Sequence, residues 1–136
     1  RYTMIDVAKV IIENSEGLFL AVKERESGKW ELPGGKIKED EDRFQASRRE
    51  VKEEVNLVID NVEDVVRVEV ESESSQAVNC WITYSDDFEG IIELYSKELE
   101  DYRWVSSEEY RNMDWHADSG YAVPALRFLE EYLAEE

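Results

Sequence analysis

Residues 35–57 read GKIKEDEDRFQASRREVKEEVNL, and the spacing of the acids inside this stretch decides how the whole chain is read. On a helix of about 100° per residue, Glu50, Glu53 and Glu54 share an arc of roughly 100°, which makes their carboxylates neighbours on one face. Like charges three and four residues apart cost an isolated helix roughly 0.2–0.5 kcal/mol per pair, and acids near a helix C-terminus meet the unfavourable end of its dipole. Local stability therefore does not explain them. A divalent cation does, because carboxylate oxygens suit a hard ion such as Mg²⁺, whose charge removes the repulsion. On the opposite face Phe44, Val51 and Val55 recur at helical spacing and are expected to bury against a core.

Upstream, Trp30, Glu31 and Leu32 read as a short strand broken by Pro33, Gly34 and Gly35, a turn whose glycines allow positive φ and close backbone approach. Turn and helix together resemble the Nudix hydrolase family, whose box is G-x5-E-x7-R-E-U-x-E-E-x-G-U with U aliphatic. Gly35, Glu41, Arg49, Glu50, Val51, Glu53, Glu54 and Leu57 stand in register with it. Asn56 replaces the second glycine, and Asp40 stands where many members carry one. Both residue types tolerate a left-handed backbone, so a helix C-cap at Asn56 and a turn at Asp40 are expected. Tyr102, Arg103, Trp104 and Val105, downstream, also follow the family's ordering.

The resemblance implies one domain over residues 1–136 with an α+β fold, an α/β/α sandwich whose mixed β-sheet lies between helices. It makes Glu50 and Glu54 the primary ligands of Mg²⁺, with Mn²⁺ as the alternative. Glu53 becomes a further or water-mediated ligand, and the Gly34 carbonyl another oxygen. Glu41 and Arg49 match the family's structural ion pair, which with Gly35 orients the site. The implied reaction is attack of water on a phosphorus of a nucleoside diphosphate linked to a further group. Nucleoside triphosphates, dinucleoside polyphosphates, ADP-ribose, nucleotide sugars and capped RNA are all used in the family; the short chain favours a nucleoside triphosphate or an oxidised nucleotide. Candidate catalytic carboxylates are Glu53 in the box and, in the loop before Tyr102, Glu98, with Glu100 next. A catalytically silent module of the same fold, binding a nucleotide or a protein partner, is the alternative, and the intact Glu50, Glu53 and Glu54 weigh against it.

Outside the box, Met4–Ile12 reads as a strand with Leu18–Val22 as its hairpin partner across Asn14 to Gly17. Val62–Val70 and Ala77–Tyr84 read as a second antiparallel pair around a polar turn at residues 72–76. Ile91–Glu93 and Tyr102–Val105 are further strand candidates. Ser106, with Glu109 three residues on, predicts a capped short helix to about Asn112, and Pro124–Ala134 closes the chain as an amphipathic helix.

With 34 acidic against 16 basic residues and a formal net charge of −18, the surface repels nucleic-acid backbones and anionic membranes, so neither DNA nor a membrane is an expected partner. The acidic coat fits either high salt or ordinary solubility. No apolar run approaches the roughly 18 residues needed to span a bilayer, and a cytoplasmic protein is expected, its oligomeric state open and a homodimer included. Cys80, the single cysteine, sits in an apolar stretch and reads as a core thiol. His116 has no partner at ligand spacing and reads as a surface or packing residue. Trp30, Trp81, Trp104 and Trp115 read as core more than as base-stacking platforms, while Arg25, Lys29 and Lys36 flank the Pro-Gly-Gly turn as candidate phosphate contacts.

Overall fold

The computed structural model describes residues 4–72 and 74–135. Among these residues seven strands and three α-helices follow one another as β1 (Ile5–Ile12), β2 (Phe19–Glu24), β3 (Trp30–Glu31), β4 (Gly34–Lys36), α1 (Arg43–Val55), β5 (Val58–Glu71), β6 (Ala77–Glu89), β7 (Leu99–Val105), α2 (Ser107–Arg111) and α3 (Ala122–Ala134), with a 3₁₀ turn over Ala117–Ser119. A four-stranded mixed sheet has the order β4-β1-β6-β5, its β1 and β6 parallel; a three-stranded antiparallel sheet has the order β3-β2-β7. Helices cover both sides. Val10 and Ile12 of β1 pack with Val51 and Val55 of α1, whereas Ile11 joins Tyr110 of α2 and Leu126 and Leu129 of α3. The expected α/β/α layering is thus present, its β layer divided in two. Apolar residues run unbroken from Val10 to Ile12 because both faces of the strand are covered.

That burial also explains where the expected hairpin fails. β1 has both edges occupied, by β4 and β6, so β2 leaves for the other sheet and only a bridge between Glu13 and Phe19 joins them. The turn itself forms, with Asn14 Oδ1 accepting from the amides of Glu16 and Leu18. Pro33 to Gly35 likewise differs from a simple turn: Gly34 and Gly35 belong to β4, paired with Lys9 and Ala8. β5 and β6 are longer than their alternation suggested, bent by register shifts near Asn61 and Val66. Within their turn, Glu73 lies outside the described residues. β5 ends its sheet. Ile91–Glu93 is not a strand; the amides of Glu93 and Tyr95 instead take the carbonyls of Val55 and Glu54 at the C-terminus of α1.

Asp42 starts α1 with a capping box, its side chain accepting from the amides of Phe44 and Gln45 while Gln45 accepts from the Asp42 amide. Asn56 ends the helix at φ 65°, ψ 24°, the left-handed cap expected. Asp40 makes its turn without a positive φ. Phe44 is only half-buried, because Ala46 and Ser47 take the inward positions of that turn and the Arg43 guanidinium covers its ring. Ser106 and Glu109 form the predicted capping box of α2.

Candidate active site

Arg49 is the hub of the box. Its Nε and Nη2 grip Glu41 at 3.0 Å and 2.6 Å, Nη2 also reaches the Lys36 carbonyl at 2.9 Å, and Nη1 donates to Glu50 at 3.0 Å and to Glu53 at 3.2 Å. Hydrogen bonding from Arg49 holds the Glu41 carboxyl down to about 2, so the pair stays ionised through the neutral range. One guanidinium therefore ties the loop after β4 to the acidic face of α1.

Glu54 meets β4 from the helix side. Its Oε1 accepts from the Gly34 amide at 2.8 Å. Burial pushes its carboxyl up to about 8, with Glu50 and Glu31 adding to the effect and Lys9 and the Gly34 amide opposing it. Gly35 faces Glu50 so closely that an added Cβ would stand 2.6 Å from the carboxylate. Among the described residues no three His, Cys, Asp or Glu side chains already converge as a metal cage. Arg49 Nη1 bridges Glu50 and Glu53 while Glu54 turns to the Gly34 amide, and each keeps an oxygen these bonds do not use: Oε2 of Glu50, Oε1 of Glu53 and Oε2 of Glu54. An all-carboxylate set of this kind fits Mg²⁺ or Mn²⁺. Glu50, with 16 % of its side chain exposed, is the inner member, and Glu53, with 55 %, the outer. Gly34 meets the helix through its amide.

Past Gly35, on the face of β1 away from α1, opens a cleft of about 240 Å³, walled by Val7, Lys9, Glu31, Gly35, Lys36 and Cys80 together with His116 and Tyr121. Two of these residues escaped the sequence. His116 arrives because its amide bonds the Trp30 carbonyl at 2.8 Å, and its Nδ1 accepts from the Asp118 amide, which leaves Nε2 toward Glu24 at 3.6 Å. Lys9 interrupts an apolar strand, the one signal that could have marked it. Burial raises the Cys80 thiol to about 11, as befits a core thiol and not a nucleophile.

The remaining candidates separate clearly. Glu98 is exposed on a lip with Glu24, Arg25 and Lys97, and its carbonyl accepts from the Arg25 amide at 2.7 Å. It follows Tyr95, whose amide bonds Glu54, by three residues, so its backbone lies within about 10 Å of that point along the chain. Glu100 is exposed on β7. Arg25 is engaged by the carbonyls of Lys97 and Leu99, and Lys29 by Asp114, leaving Lys36 alone of the three on the cleft. Trp30 is buried, Trp104 stacks on Phe88, Trp115 packs on Tyr110, and Trp81 lies beneath Arg43 and Arg67.

The NUDIX domain model matches residues 4–126, and the chain belongs to that family. Within it the class is that of the pyrophosphohydrolases. The chain is 31 % identical over 109 residues to the CTP pyrophosphohydrolase of Escherichia coli (strain K12), covering 78 % of each. It also superposes on a MutT protein from Methanosarcina mazei Go1 with a TM-score of 0.83 at 28 % identity, covering 97 % of both chains. The solution structure of the E. coli ORF135 protein gives 0.81 at 26 % identity, over 99 % of this chain and 94 % of that one.

Proposed function

We propose that the chain is a Mg²⁺-dependent hydrolase of a nucleoside diphosphate linked to a further group, a nucleoside triphosphate being the favoured substrate. The observation that carries this reading is Gly35, which lines the cleft and at the same time stands against Glu50 of the acidic face that Arg49 organises. At about 240 Å³ the cleft is smaller than the roughly 300–1,000 Å³ of pockets that enclose whole ligands, which suits it to one part of the substrate while the rest lies over α1. Similarity to a CTP pyrophosphohydrolase supports a triphosphate over the other substrates of the family.

In this reading Glu50 and Glu54 hold the metal and Glu53 completes its shell from the solvent side. The bound ion would neutralise phosphate charge and lower the pKa of the attacking water. Arg49 and Glu41 keep the carboxylates aimed, and Gly34 anchors Glu54 through its amide. A carboxylate accepts the proton of the attacking water: Glu53 stands on the site, and Glu98 waits at the lip of the neighbouring loop. As the water oxygen bonds phosphorus, the bridging oxygen leaves with its electron pair. No helix among the described residues is long and apolar enough to cross a membrane, and a cytoplasmic setting is part of the proposal.

The test is product identification by mass spectrometry in ¹⁸O-labelled water across a nucleotide panel, with Mg²⁺, with Mn²⁺ and with chelator. Metal-dependent release of a nucleoside monophosphate or diphosphate is expected, and Glu53→Gln should lower the rate at least about tenfold. Full activity in that variant would remove the mechanism as stated.

A further inference from the structure

Lys9 is a charged residue inside an otherwise apolar strand, and the Nudix box leaves it without a role. Counting along β1, it shares a face with Val7 and Ile11, opposite to the Val10 and Ile12 that pack on α1. Its side chain therefore enters the cleft while Glu54 approaches Gly34 from the other side of the sheet. The stem crosses Gly34 so closely that a Cβ there would come within 2.8 Å of Lys9 Cα and 2.9 Å of Cδ. Gly34 thus serves two side chains at once, giving its amide to one and room to the other.

The ammonium is sparsely hydrogen-bonded for so enclosed a place, though Tyr121, Glu31 and Glu54 lie near it. Its hydrogen bond is to the Leu32 carbonyl at a long 3.3 Å, and among the described residues it closes no ion pair with Glu31 or Glu54. A mere counter-charge for Glu54 would sit on its carboxylate, where Oε2 is open, yet Nζ turns to the Leu32 carbonyl instead. Three N–H donors with one long bond leave capacity for an incoming acceptor. An anionic substrate approaching a chain of net charge −18 needs such a fixed cation on the cleft beside Gly34, the residue that stands between Lys9 and Glu54.

We propose that Lys9 Nζ donates to a phosphate oxygen of the substrate, making Lys9 a binding residue that draws the phosphate chain from the cleft toward the acidic helix. The inference rests on the pyrophosphohydrolase reading of the same site. A base-free probe tests it: inorganic diphosphate titrated in the presence of Mg²⁺ and again in chelator, alongside Mg²⁺ alone, with wild type, Lys9→Met and Lys9→Arg.

Losing a charge-assisted hydrogen bond should weaken diphosphate binding by about tenfold or more in Lys9→Met. Mg²⁺ alone should bind that variant at least as tightly as wild type, since a positive neighbour has been removed, and Lys9→Arg should recover part of the diphosphate affinity. In the wild type the ¹³Cε resonance of Lys9 should shift along the same diphosphate isotherm, a readout that needs no variant to fold. Equal diphosphate affinity in wild type and Lys9→Met, a Lys9 resonance that does not move, or parallel losses of Mg²⁺ and diphosphate would overturn the proposal. Absence of Mg²⁺ binding to wild type would sink the hydrolase reading instead, and the chelator titration would then decide on Lys9 alone.

Discussion

An added methyl group meets different obstacles at Gly34 and at Gly35. At Gly34 it strikes the Ala8 carbonyl and Lys9 from a backbone at φ 147°, so Gly34→Ala should cost at least about 3 kcal/mol in a denaturant melt and break the β1–β4 pairing. At Gly35 the obstacle is a side-chain carboxylate that can move, so Gly35→Ala should fold but, by displacing Glu50, lose about 10–100-fold in activity. Glu54 carries a pH prediction. Its folded pKa, about 8 against 4.5 for the free group, means that the folded state holds a proton the unfolded chain gives up. That contribution to stability is full below about 4.5 and is lost as pH rises toward 8. Melting temperature in chelator should therefore fall across this window more steeply in wild type than in Glu54→Gln, and Mg²⁺ affinity should climb over the same range. Glu41 runs the other way: held down to about 2, it stabilises above 4.5 and loses that contribution as pH falls from 4.5 toward 2.

At the scale of elements, α1 was the most legible part of the chain, because its acids, its buried valines and its C-cap are all local signals. Asn56 holds the left-handed cap, bonds Lys52 through its side chain and reaches the Ile91 carbonyl. Asn56→Gly should be nearly neutral in a chemical melt, and Asn56→Ala should cost about 1 kcal/mol. The failures lie where partners are distant. Sequence spacing offered β2 as the neighbour of β1, but β1 pairs in parallel with β6, Ile5 opposite Val78, and nothing near Ile5 announces that. Ile91–Glu93 reads as a strand candidate, but the Glu93 amide serves the end of α1 instead, as does that of Tyr95. His116 and Lys9 belong to the same class of miss. Each matters through neighbours that only the folded sheet supplies, Trp30 and Glu24 for one, Gly34 and Leu32 for the other.

The whole molecule is governed by its charge. With 34 acids against 16 bases, mutual repulsion opposes the folded state, and counter-ions within a Debye length of about 8 Å at physiological ionic strength relieve it. The melting temperature should accordingly rise from low salt to molar KCl, and a flat response would show that repulsion is not limiting. One consequence concerns β5, which ends its sheet over residues 58–71 with one margin of backbone unpaired. A fourteen-residue ribbon of this kind is a template for strand addition, and Asp60, Glu63, Asp64, Glu69 and Glu71, all outward, keep other chains away. Acidification toward the isoelectric point near 4.4 disarms that guard while the ribbon itself stays in place. Turbidity and a rise in thioflavin fluorescence should then appear before the fold is lost, with the growing fibre seeded along this margin.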